Sequence, residues 1–268
     1  MNVLLETKDI KVLLDAIESN LDDFYIKCTY HPDFDFMNND KISWVRARYV
    51  DWPNCIFKVN FEGLDLNSEI IKVKTLIESS NSPNAWTLGP LSKPLNLGSK
   101  LEEVGFTKVY QQAGMVLYLQ DLNNLELKSN ELKVKLVDSW GMLQQWSNLV
   151  SLVFNIRIDQ NLLKYLLNQT EALFYIGYSH GIPVSTLLLY LSSGVAGLHA
   201  VSTHPGYRNK GFGFLISGIA LKEALKLGYK VGVLQASKMG ERIYKKLRFK
   251  KQCDIFSYEL QGLPLNER

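Results

Sequence analysis

Cysteine is scarce in this 268-residue chain, and the three present, Cys28, Cys55 and Cys253, lie far apart. An odd, scattered set builds neither a disulfide framework nor a metal-ligand spacing, and it fits a reducing cytoplasm. Long apolar runs are lacking as well. The longest mainly apolar stretch, Pro183–Leu191, has strand length and falls well short of the ~20 residues that cross a bilayer. The opening Met-Asn-Val-Leu-Leu-Glu-Thr-Lys-Asp has neither the basic start nor the apolar core of a secretion signal. Net charge is only +3, so the molecule as a whole is no strong polyanion binder. No nucleic-acid reader motif and no basic stripe interleaved with aromatics is present. These absences point away from secreted, membrane-spanning and nucleic-acid-binding classes.

What is present is an ordinary globular composition, 46% hydrophobic and 21% charged. The length suits one large or two ordinary domains. Charge is unevenly spread: residues 1–40 hold nine acidic side chains against three basic, and residues 204–251 hold twelve basic against two acidic. Any single lysine in that second block is most simply a solvated helix face. Together they form a positive field.

That field surrounds the most informative stretch of the chain, Leu198–Gly228. Leu198–Thr203 is a short apolar run of strand type, broken by Pro205 and Gly206. Arg208-Asn209-Lys210-Gly211-Phe212-Gly213 then forms a basic glycine turn that opens a helix. Ile216, Ile219, Ala220, Ala224 and Leu227 fall on one helix face, Lys222 and Lys226 on another, and Gly228 is the stop signal. A strand, a glycine turn and a helix make an anion cradle, because turn N–H groups and the unpaired N–H groups of the first helical turn converge. Gly211 and Gly213 let an anion reach the backbone, and Arg208 and Lys210 charge the rim. A diphosphate is the expected guest. The spacing is neither a P-loop nor a full Gly-x-Gly-x-x-Gly, since Ile216 stands where a third glycine would.

Val201-Ser-Thr-His-Pro-Gly-Tyr-Arg-Asn-Lys-Gly-Phe-Gly213 resembles the acetyl-CoA signature of the GNAT superfamily of N-acetyltransferases. Downstream, Val231–Ser237 reads as the next strand, and Gly240-Glu-Arg-Ile-Tyr-Lys-Lys-Leu-Arg-Phe249 is similar to the family's closing helix, with Arg248 where glycine is usual. The resemblance covers residues 131–260. It implies an α/β (α+β mixed-sheet) acyl-CoA N-acyltransferase fold, and it implies acetyl-CoA as acyl donor.

Upstream of it, Lys133–Leu136, Leu173–Tyr178 and Val184–Leu191 read as strands, and Asp138–Val153 and Gln160–Asn168 as helices, with Asp138 or Ser139 as a cap. Gly181 with Pro183 marks a turn. The polar segment Asp121–Glu131 reads as a linker between a first domain, 1–125, and a catalytic domain, 131–268. In the first domain the pattern predicts a helix at 7–22 capped by Thr7 and a strand at 23–30. A loop at Asp33–Asp40 follows, then strands at Trp44–Val50 and Cys55–Phe61 and a helix at Ser68–Ser79. Ala85–Gly89 begins a strand, Leu97–Val104 is a helix, and Gly105-Phe106 leads into a strand ending near Leu119. That tail echoes the second half, with Leu101 where the motif has tyrosine and no Arg-x-x-Gly-x-Gly anywhere. The first domain is either a divergent GNAT-like copy that has lost its cofactor or an unrelated α+β cap.

The resemblance also implies roles. Backbone groups of Leu198–Thr203, among them Val201, Ser202 and Thr203, would hold the pantetheine arm. Arg208, Asn209, Lys210, Gly211, Phe212 and Gly213 would hold the phosphates, and Ser237 and Met239 would touch the cofactor. Ser237 reads equally as a helix cap, and His204 reads as a structural or phosphate contact. Tyr244 falls at the tyrosine position whose hydroxyl lies near the CoA sulfur in the family, so it is the candidate acid; otherwise it is a packing tyrosine. His199 is the candidate base, at a strand position where arylalkylamine N-acetyltransferases carry a histidine. Their second histidine, two residues earlier, is Gly197 here, and a lone strand histidine also reads as structural. No metal is implied. The expected acceptor is a primary amine of a small molecule or peptide, attacked directly, with Asn155–Gln169 as the substrate segment and Trp140, Trp146 and Phe154 lining a pocket or packing the core. The chain is expected to be monomeric or homodimeric, with no membrane or nucleic-acid partner. The rival function is a non-catalytic CoA-binding or sensing module.

Overall fold

Short apolar runs alternate with amphipathic stretches, and in a computed structural model covering residues 4–261 they build a mixed α/β fold. Residues 1–3 of the opening run and 262–268 of the second domain lie outside the described residues. The first half holds α1 (Ile10–Cys28), β1 (Phe34–Asn38), β2 (Ser43–Ala47), β3 (Asn54–Phe57), α2 (Leu66–Glu78), β4 (Ala85–Leu88), α3 (Leu97–Glu103) and β5 (Phe106–Tyr118). The second holds β6 (Lys133–Leu136), α4 (Trp140–Phe154), α5 (Gln160–Leu167), β7 (Ala172–Ser179), β8 (Ile182–Ser192), β9 (Val195–Thr203), α6 (Phe212–Lys226), β10 (Val231–Ala236), α7 (Glu241–Lys246) and β11 (Lys250–Leu260). Antiparallel strands, a helix, a strand parallel to its predecessor, a short helix and a closing strand occur in the same order in both halves. The echo read from Leu97–Phe106 is therefore a repeat of architecture. No described helix is long and apolar enough to cross a membrane.

The chain divides into two compact units that are not its two halves. One unit takes the residues up to Phe24 together with Ala113–Gln252; the other takes Tyr25–Gln112 and the residues from Cys253 on. In the first unit the strand order is β5-β10-β9-β8-β7-β6. Here β5 pairs antiparallel with β10 from Ala113↔Ala236 to Tyr118↔Val231. Its core is one apolar cluster in which Met115, Leu117, Leu119 and Leu122 join Leu187, Leu189, Leu198, Ile216, Ala220 and Leu234. In the second unit the order is β1-β2-β3-β4-β11, with β11 antiparallel to β4 from Phe256↔Leu88 to Glu259↔Ala85. Trp86, Ile56, Ile70, Leu97 and Leu101 fill its core.

The structure corrects several local expectations. The strand expected at 23–30 is the end of α1, because Phe24 and Cys28 are one helical step apart and both are fully buried. Its cap is Asp9, not Thr7: the Asp9 carboxylate accepts from Lys11 N at 2.9 Å and the Asp9 carbonyl from Leu13 N at 3.0 Å. The acidic loop expected at Asp33–Asp40 contains β1, whose Asp35 bridges Arg46 at 2.7 Å and Arg48 at 2.5 Å. Paired in this way, its carboxyl is held below the ordinary range, first by the Arg48 hydrogen bond and then by Arg46. On α6, Leu227 is exposed, so the apolar face ends at Ala224.

Candidate functional site

The first unit's central strand, β9, opens a gap in its own sheet. It pairs in parallel with β10 only at Ala196↔Gly232, Gly197↔Val233 and Leu198↔Leu234. From there β10 continues along β5, whereas β9 continues along β8 as far as Thr203↔Ser185. Residues His199–Thr203 therefore present a backbone edge that β10 does not use. The divergence coincides with a bulge. Between Leu188↔His199 and Thr186↔Ser202, β9 advances three residues for two on β8, and Ala200 takes a left-handed φ of 47°. Thr186 pins the bulge from β8: its hydroxyl donates to Ala200 O at 3.1 Å and lies 2.6 Å from Ser202 Oγ. The Ser202 side chain is thereby spent inside the sheet. Val201 packs against the main apolar cluster.

The cradle follows directly. His204 Nδ1 accepts from Gly206 N at 3.2 Å, and Arg208 Nε donates to Thr203 O at 3.4 Å, folding the Pro205–Tyr207 turn back on the strand end. Asn209 (φ 65°) and Gly211 (φ 78°) are both left-handed, and Gly211 is the residue preceding α6. No side chain caps this helix, so the N–H groups of its first turn keep no side-chain partner. A Cβ placed on Gly211 would meet nothing within 4 Å; the space in front of the helix end is open. Gly213 faces inward, where a Cβ would come within 3.3 Å of Ile243 Cδ1 and 3.8 Å of Thr203 Oγ1. Phe212 is buried with Leu132, Val184 and Leu215, leaving its backbone as what it offers a ligand. Lys210 is exposed, 3.4 Å from Glu131.

On α7, Tyr244 is buried in the same apolar cluster, its ring edge-on to Phe249 at 5.7 Å. Burial pushes its phenol well above the ordinary value, and Ser217 of α6 draws it back only in part. The phenol stays protonated at any physiological pH. Ser237 Oγ accepts from Gly240 N at 3.1 Å and its carbonyl from Glu241 N at 2.9 Å, so it closes the turn before α7, whose N-cap is Gly240. Met239 is exposed.

His199 points to the other face of the sheet from its neighbour Leu198, which belongs to the Tyr244 cluster. It is buried: its ring stacks on Phe24 at 5.4 Å and its Nε2 lies 2.9 Å from Asn20 Oδ1. Loss of solvent pulls the imidazole down to about 4, so it is neutral near pH 7.

No family model matches the sequence, and no curated protein does. Solved structures do match. A GCN5-related N-acetyltransferase from Kribbella flavida superposes with a TM-score of 0.73 over 94% of this chain and 97% of its own, at 15% identity. One from Sphaerobacter thermophilus gives 0.61 over 94% and 92%, at 11% identity. A tandem GNAT protein from the clavulanic acid biosynthesis pathway gives 0.58 over 97% and 98%, at 11% identity. This is a tandem GNAT fold.

Within that GNAT fold, the first unit gathers Val201, Thr203, Arg208, Asn209, Gly211, Gly213 and Tyr244 around one strand end and one helix start. His199 lies on the opposite face of the strand, and Trp146 is core, its indole N–H donating to Leu187 O at 3.2 Å. Trp140 and Phe154 reach the surface. Sequence reading missed Thr186, Ser217 and Asn20. Only Asn20 left a trace, as a polar residue on the α1 face that carries Leu13, Ile17 and Phe24. The second unit's counterpart of the cradle, between β3 and α2, is closed. There Asp65 caps the helix, accepting from Ser68 N at 3.4 Å, and Glu69 adds negative charge in the first turn. At the counterpart of Tyr244, Leu101 is fully buried.

Proposed function

We propose that this chain is an N-acetyltransferase that moves an acetyl group from acetyl-CoA to a primary amine of a small molecule or peptide by direct attack. The observation that carries the reading is the uncapped, glycine-opened start of α6, set against a β9 edge that β10 has released. A diphosphate fits that helix start by charge and by room. The freed edge from His199 to Thr203 supplies main-chain donors and acceptors for an amide-bearing arm, with Val201, Ser202 and Thr203 contributing backbone. Arg208, Asn209, Lys210 and the backbone of Phe212 complete the phosphate rim, and Ser237 and Met239 flank it on the α7 side.

Acetyl-CoA brings an activated thioester; the chain's own residues hold it and manage protons. Placing amine and thioester on either side of one strand supplies much of the rate. Tyr244 donates its proton to the departing thiolate; burial keeps the phenol protonated until then, while the Ser217 contact offsets part of the loss in acidity. His199, neutral at working pH, takes a proton from the nitrogen through water as the new C–N bond makes that nitrogen acidic. The Asp65-capped second unit holds no acetyl-CoA in this reading and serves as a divergent GNAT-like partner. Free cysteines throughout suit a cytoplasmic enzyme, monomeric or dimeric.

Calorimetry with acetyl-CoA and a thiol-release assay over a panel of amines test the proposal. The wild type binds, and Gly211→Glu does not, because a carboxylate enters the anion position. Tyr244→Phe binds with unchanged affinity but releases thiol about 10²-fold more slowly or worse. Binding without any thiol release would instead make the chain a CoA-sensing module.

A further inference from the structure

A fully buried amide on an apolar helix face calls for an account, because it costs stability unless every polar atom finds a partner. Asn20 is such a residue, with Leu13, Ala16, Ile17 and Phe24 buried around it on α1. Its Nδ2 donates to three acceptors on β8: Tyr190 O at 3.2 Å, Ser192 O at 3.4 Å and Ser192 Oγ at 2.9 Å. Two of these are main-chain carbonyls, which only accept, so the orientation of the amide is set. Its Oδ1 must then be the atom 2.9 Å from His199 Nε2. A carbonyl oxygen cannot donate, so Nε2 carries the hydrogen. His199 Nδ1 has no hydrogen-bond partner among the described residues.

Gly197 completes the arrangement. A Cβ there would lie 1.7 Å from Asn20 Oδ1 and 2.8 Å from His199 Nε2. Only a residue without a side chain lets the helix amide reach the strand imidazole. The position that read as a missing second histidine is the opening through which Asn20 enters.

We propose that Asn20 is a positioning residue for His199, holding the imidazole in its Nε2–H tautomer so that Nδ1 carries the basic lone pair. The proposal rests on the reading of His199 as the group that takes the amine proton. It makes the first helix of the chain part of the machinery of a strand nearly 180 residues later (the Asn20–His199 separation is 179).

Histidine ¹⁵N NMR of the intact wild-type protein near neutral pH tests this without any turnover. The expected spectrum shows His199 protonated at Nε2 and bare at Nδ1; an Nδ1–H tautomer or an imidazolium overturns the proposal. Asn20→Ala and Gly197→Ala should both mix the tautomers and lower kcat about 10-fold or more, within the ~10²–10⁴-fold that a positioned proton transfer supplies. Acetyl-CoA affinity, read by calorimetry, should stay unchanged. Mixed tautomers with an undiminished kcat overturn the proposal, and where either variant fails to fold the wild-type spectrum decides. A pure Nε2–H spectrum with full activity in His199→Gln places the failure in the reading of His199 as base, and the role of Asn20 falls with it.

Discussion

His199 shows how burial turns an ordinary side chain into a particular one. Unfolded, its imidazole gains a proton near its usual 6.5; folded, loss of solvent lowers that to about 4. Between these two values the unfolded chain binds a proton that the native protein refuses. Stability from this group is therefore fully present above about pH 6.5 and is lost progressively as pH falls toward 4. The shift corresponds to about 3 kcal/mol across that window. Denaturant titrations at pH 7, 5.5 and 4.5 should show the wild type losing more stability on acidification than His199→Gln, by roughly that amount. Parallel pH profiles for the two proteins would mean that the imidazole is not desolvated as placed.

At the scale of elements, the β9–turn–α6 unit was legible because the requirements of its backbone coincide with residue identity: asparagine and glycine where φ is positive, basic residues at the rim, proline where pairing ends. The bulge at Ala200 was not legible, because alanine carries no sign of a left-handed φ and the anchor, Thr186, comes from another strand. β1 was misread for a related reason. Asp33, Asp35 and Asp40 look like a solvated loop until β2 supplies Arg46 across the ladder. The turn after α7 is a clearer case. Arg248 adopts φ 72° where the equivalent turn of the first half has Gly105 at 98°. An L-residue there costs ~1–2 kcal/mol, against which glycine loses ~0.4–1 kcal/mol through the unfolded chain. Arg248 also donates to Asp121 O at 3.0 Å from an exposed position, a weak return. Arg248→Gly should leave stability unchanged or raise it by up to about 1 kcal/mol in thermal or urea melts. A loss of more than 1 kcal/mol would show that the guanidinium contact outweighs the strained turn.

For the whole molecule, the decisive fact is that each compact unit is assembled from both parts of the chain. The linker at 121–131 separates the two halves in sequence, yet the unit bearing the cradle owns residues on both sides of it. It takes β5 as the antiparallel neighbour of β10, and with it Met115, Leu117, Leu119 and Leu122, all at most 1% exposed. It also takes the first turns of α1, which supply Ile17, Asn20 and Phe24. Burial of four such side chains is worth about 6–12 kcal/mol at ~1.5–3 each, which rivals the whole stability of an ordinary domain. A fragment of residues 131–268 expressed alone would bare the β10 edge from Val231 to Ala236 and lose that burial. It should therefore show no cooperative unfolding transition, should aggregate through the open edge, and should fail to bind acetyl-CoA. Coexpression with residues 1–125 should restore a complex that copurifies, melts cooperatively and binds the ligand, because the missing strand and helix are then supplied without a covalent connection. If 131–268 alone folds and binds acetyl-CoA, β5 and α1 are accessories and the second half is a self-sufficient domain. Failure to fold alone with rescue by the first half would mean that the cradle-bearing unit depends on the strand and helix the first half supplies.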